Sequence, residues 1–142
     1  PMLAPAQIPA IEKLGKEAKR QKGVEYESVG SFMLGMASSV ANKEQRATFK
    51  MLDNIEMIEC KNREYAPQLT ERVMEIARSV GATFIGSQDD GKAVNELYGI
   101  KRGEVITELI IIVKSHTGDV GIVAMSGKIP QSRLGEIAKI KR

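Results

Sequence analysis

The stretch Glu104–Lys114 constrains the fold of this chain more than any other segment. Taken as a strand, it sets Val105, Leu109, Ile111 and Val113 on one side and Ile106, Ile110 and Ile112 on the other. A strand that is apolar on both sides needs cover on both. Left at a sheet edge, it would be an aggregation hazard. It is therefore expected inside a sheet, between strands at 93–100 and 120–126. Should the side away from the helices be open, Ile106, Ile110 and Ile112 would offer a surface to a partner or to a second copy of the chain.

The surrounding sequence supports that placement. From Ala82 onward the apolar period is two, which predicts strands at Ala82–Ser87, Ala93–Ile100, Glu104–Lys114 and Val120–Ser126. Asp89-Asp90-Gly91, Lys101-Arg102-Gly103 and Ser115–Asp119 supply the turns between them. Gln131–Ile140 reads as a closing helix with Leu134, Ile137 and Ala138 inward.

The first half alternates helix and strand. Ile8, Ile11, Leu14 and Ala18 recur at helical spacing within 6–22, and Gly23 is placed to stop that helix. Val24–Val29 alternates as a strand. Ser31 can cap a helix through Ala41 with Met33, Met36, Ala37 and Val40 along its buried stripe. Asn42–Leu52 fits either a helical extension or a loop. Ile55–Cys60 reads as a second strand. Pro67 then opens a helix running to Val80, with Gly81 after it. The expected fold class is α+β: a two-layer domain with helices on one face of a mostly antiparallel sheet, whose C-terminal four-strand meander is followed by a helix. At 142 residues, one domain spanning 1–142 is expected, with 1–5 as a flexible end.

With three Tyr, three Phe and no Trp, the core has to be aliphatic. The net charge of +3 is uneven. Bases gather at 12–22 and 128–142, while 31–127 is slightly acidic. A nucleic-acid surface would interleave bases with aromatics or Gly-rich loops, so these ends read as solvated helix faces and no nucleic-acid partner is expected. The single Cys60 excludes an internal disulfide and any metal site built on paired thiolates. The longest apolar run, Leu109–Val113, is far short of the roughly 20 residues of a membrane helix.

Motifs for chemistry are sparse. Ser115-His116-Thr117-Gly118-Asp119 contains Ser, His and Asp, but neighbours in one turn cannot align as a nucleophilic triad. Asp89, Asp90 and Gly91 lack the rest of a calcium loop. No glycine pattern matches a phosphate loop. No catalytic residue, cofactor or metal is therefore expected. Met33, Met36, Met51, Met57 and Met74 could form an adaptable apolar surface, or fill a core short of aromatics.

Taken together, the basic first helix, Gly23-Val24-Glu25-Tyr26-Glu27-Ser28-Val29, Phe32-Met33-Leu34-Gly35-Met36, the strand Ile55–Cys60 and the hairpin series through Ser126-Gly127-Lys128-Ile129 resemble a family of uncharacterised envelope proteins of Bacteroides-type bacteria, a domain of unknown function. The likeness covers about residues 6–140. It implies a secreted or periplasmic chain from a precursor with a signal peptide, anchored by lipid if the missing start carried a Cys; none stands at this N-terminus. The chain begins Pro1-Met2, which a trimmed signal peptide or a different chain boundary would explain. The resemblance implies no activity. The leading expectation is a non-catalytic domain that binds a protein or an envelope component, the expected partner being an envelope protein or a second copy of the chain, with exposed Lys16 and Arg20 engaged in partner capture. A small-ligand binder with a pocket at Met33 and Met36 is the alternative, and an enzyme using Glu or Lys a further one.

Overall fold

A computed structural model of the chain describes residues 8–30, 43, 46, 47 and 50–137. Helix α1 spans Pro9–Ala18 and buries Ile11, Leu14, Gly15 and Ala18. Its periodicity is as the spacing predicts, and Pro9 suits a first turn where no N–H is needed. Gly23, at φ +80°, turns the chain into β1 (Val24–Gly30). Strand β2 (Leu52–Cys60) follows, then α2 (Ala66–Ser79), which buries Ala66, Leu69, Val73 and Ala77. The Asn62 carboxamide oxygen accepts the backbone N–H groups of Glu64 and Tyr65 at 3.1 Å, organising the turn that enters α2.

Four strands complete the sheet: β3 (Thr83–Asp89), β4 (Ala93–Arg102), β5 (Val105–Ser115) and β6 (Val120–Pro130). Chain order then passes through a three-residue 3₁₀ turn, Gln131–Arg133, to α3 (Leu134–Ile137). The six strands are ordered β1-β2-β6-β5-β4-β3, and every neighbouring pair is antiparallel. The turn glycines Gly91, Gly103 and Gly118 all take positive φ. Strand β6 runs on through Lys128 to Pro130, four residues past Ser126. Gly127 allows this, because a Cβ there would lie 2.0 Å from the Met51 carbonyl oxygen. Lys128 N–H donates to that same carbonyl at 2.9 Å.

Both faces of the sheet are apolar and buried. Helices α1 and α2 pack on one face, over Ile58, Cys60, Ile110, Ile112, Ile122 and Ala124. On the other face Ile55, Leu97, Leu109, Ile111, Val123 and Met125 form a second cluster, to which Met51 and Leu134 add from outside the sheet. Strand β5 is central, and Leu109 to Ile112 have no exposed surface.

This corrects the sequence expectation for Ile106, Ile110 and Ile112, which present no surface: each is 0% exposed. Nor do they share a face. Ile110 and Ile112 lie under the helices, whereas Ile106 belongs to the opposite cluster. The β5–β6 register shifts between Ile106 and Glu108, and a bulge of this kind breaks strict alternation. The expected helix through 31–41, with Met33 and Met36, lies outside the described residues, as do 138–140 of the expected closing helix.

Candidate functional site

Charged side chains on a buried strand face are the anomaly of this molecule. Glu56 of β2 is 1% exposed and Glu108 of β5 is 6% exposed, both on the helix-covered face. Register explains how they meet polar neighbours. Ser28, Glu56 and Ala124 form one cross-strand row, and Asn54, Ser126 and Glu108 form the next. Glu56 is the hub. Its Oε1 accepts the Tyr26 hydroxyl, and its Oε2 accepts the Ser28 hydroxyl and, at 2.7 Å, the Asn54 amide. Three donors on one carboxylate make burial of the charge tolerable.

Glu108 is treated differently. Burial, with the charge of Asp53 adding to it, lifts its carboxyl from the ordinary 4.5 to about 7. Its cross-strand neighbour Ser126 is 2% exposed and its Oγ has no hydrogen-bond partner. Ile8, just before α1, closes over Asn54, Glu56, Glu108 and Ser126, leaving a gap too narrow for a water molecule. Tyr26 is fixed from two sides. Its hydroxyl is on Glu56, and its ring lies against Gly15 of α1. Burial first, then the bond to Glu56, raises the Tyr26 phenol far above its ordinary 10.

Two neighbouring carboxyl groups are the parts of acid–base chemistry. Here they are sealed from solvent, and Glu56 is saturated by its own chain. What the arrangement does is tie β1 to β2 and hold Tyr26 in place. Among the described residues no group of three or more His, Cys, Asp or Glu side chains is placed to hold a metal.

The accessible feature lies along β1, beside the end of α1. An open groove of about 530 Å³ is lined by Lys19, Val24, Glu25, Tyr26, Glu27, Met57 and Glu59. Glu25 stands opposite Glu59, and Glu27 opposite Met57. The groove therefore has an apolar patch at half-buried Met57 and a charged rim of both signs.

Of the residues singled out from sequence, Lys16 and Arg20 are exposed near the end of α1, with Lys16 3.8 Å from Glu12. Neither lines the groove, although Lys19 between them does. Met33 and Met36 lie outside the described residues. In the 115–119 turn Ser115 Oγ meets Thr117 Oγ1 at 2.8 Å, while His116 Nε2 stands 3.6 Å from Asp89, so no triad is assembled. Cys60 is buried, and burial pushes its thiol up. The Glu56 and Glu108 cluster was missed from sequence. The signal was there: Glu56 shares a strand face with Ile58 and Cys60, and Glu108 with Ile110 and Ile112.

Residues 18–137 match the model of a family described as a domain of unknown function, DUF4252. No match was found among curated proteins or among solved structures.

Proposed function

We propose that this chain, which belongs to the DUF4252 family, is a non-catalytic domain of the bacterial cell envelope that binds another protein through the groove along β1. The groove itself carries the reading. It is an open depression along β1 that pairs an apolar patch at Met57 with a polar rim at Lys19, Glu25, Glu27 and Glu59. A hydrophobic centre ringed by polar side chains is the anatomy of a protein interface. The non-catalytic part is supported by the seal over Glu56 and Glu108, which keeps both carboxyls from any substrate. The envelope setting rests on the resemblance of the helix and strand pattern.

A photo-crosslinking residue at Glu27 tests the interface in the cells that make the protein. A discrete adduct is expected from position 27 and from no position on the outer face of α2, such as Arg78. Equal labelling from both, or none from position 27, overturns the reading. Cell fractionation checks the setting independently. Recovery of the chain in the cytosol alone would rule out the envelope.

A further inference from the structure

The sheet ends in two unlike edges. On β1 the exposed side chains include Glu25 and Glu27, and charge on an edge strand discourages pairing with another strand. Strand β3, at the opposite edge, carries no such charge, and its one irregularity is a shift of register against β4 between Phe84 and Gly86, which leaves residues 86–89 as the regular run. Thr83-Phe84-Ile85-Gly86-Ser87-Gln88 carries no charge, and only Asp89 follows at its end. Thr, Phe and Ile are strand-favouring residues. Thr83, Phe84, Ser87 and Gln88 are exposed. Phe84, at 58%, is the exposed large hydrophobic side chain of the described residues, its ring held edge-on against Tyr98 at 5.5 Å.

We infer that β3 pairs antiparallel with β3 of a second copy of the chain, joining two six-stranded sheets about a two-fold axis. The occupant follows from charge. An uncharged strand meets its own twin without repulsion, and Asp89 would face its counterpart only in a register centred on itself. A charged strand from another protein would find no partner charge along 83–88. The same pairing at β1 would bring Glu25 and Glu27 of the two copies together, which like-charge repulsion opposes. The asymmetry of the edges also sets the size of the assembly. A sheet with two bare edges would grow without limit. Among the described residues one edge is uncharged and the other charged, and that combination gives a closed dimer, because an isologous contact uses up its own surface. This inference is independent of the β1 groove.

Sedimentation equilibrium from about 1 to 200 μM tests it, starting from a monomer of 15.6 kDa. The mass is expected to double with concentration, and the β3 amides to gain hydrogen-exchange protection as it does. Ser87→Lys and Phe84→Lys put a charge on the edge and should weaken association at least tenfold. Ser87→Lys removes no packing, so an unchanged urea midpoint keeps the test valid if Phe84→Lys unfolds. Glu27→Lys, on the other edge, should leave the dimer intact. A monomer at every concentration overturns the inference. So does a dimer that Ser87→Lys leaves unweakened, or one that Glu27→Lys dissolves.

Discussion

A Cβ built on Gly15 would fall 2.3 Å from Cδ1 of Tyr26, so the helix α1 has a notch where the tyrosine ring lies. That contact couples helix to sheet, because the same tyrosine holds Glu56 through its hydroxyl. Gly15→Ala should destabilise the domain by about 1–2 kcal/mol in urea unfolding. Overpacking costs roughly 1–3 kcal/mol, and the better helix propensity of Ala returns up to about 1. In a Tyr26→Ala background the sign should reverse. If Gly15→Ala is equally harmful with and without the ring, the notch does not explain the glycine.

Glu56 serves three donors, so removing it leaves Tyr26, Ser28 and Asn54 short of an acceptor. Glu56→Ala should cost about 3 kcal/mol or more. Glu56→Gln should cost less, since one amide oxygen remains. The more telling result is a double-mutant cycle between Glu56→Gln and Tyr26→Phe, where coupling of at least about 0.5 kcal/mol is expected. Additive losses would show that the two act separately.

The raised Glu108 carboxyl makes a claim about pH. The folded value, about 7, lies above the ordinary 4.5, so folding favours the protonated form. That contribution is fully present below pH 4.5 and is lost as pH rises through 7. Between pH 5 and 8 the native chain should lose stability, and Glu108→Gln should flatten the curve and be the more stable of the two at pH 8. Equal pH slopes in this window would refute the assignment. Glu17, held low by its bond to Arg72, acts in a more acidic range and does not confuse the comparison.

Ile106 and Ile112 are core residues on opposite faces. Truncation of either to Ala should cost about 2–5 kcal/mol. Lys16→Ala, on the exposed side of α1, should change stability by less than about 0.5 kcal/mol. Denaturant midpoints decide this directly. A surface role for either isoleucine would require its truncation to be nearly silent.

Much of this fold is legible in local pattern. The two-sided apolar run at 105–113 demands a central strand, and β5 lies between β4 and β6. Glycines at 91, 103 and 118 mark turns because positive φ is a property of single residues. The amphipathic spacing of α1 and α2 needs only the helical period. These features depend on neighbours a few positions away, which is why a reader of the sequence can find them.

What the sequence by itself determined is thus the kind and order of most described elements, and the need to cover β5 twice. What only the tertiary structure decided is which distant residues meet. That β2 docks on β6 rests on side chains some seventy positions apart, which no local period encodes. The bulge at Ile106/Glu108 moved Ile106 to the other face, and a one-residue slip reverses every side chain beyond it. Glu56 found Tyr26, Ser28 and Asn54 because three strands place them together, and a buried charge persists only where such donors converge.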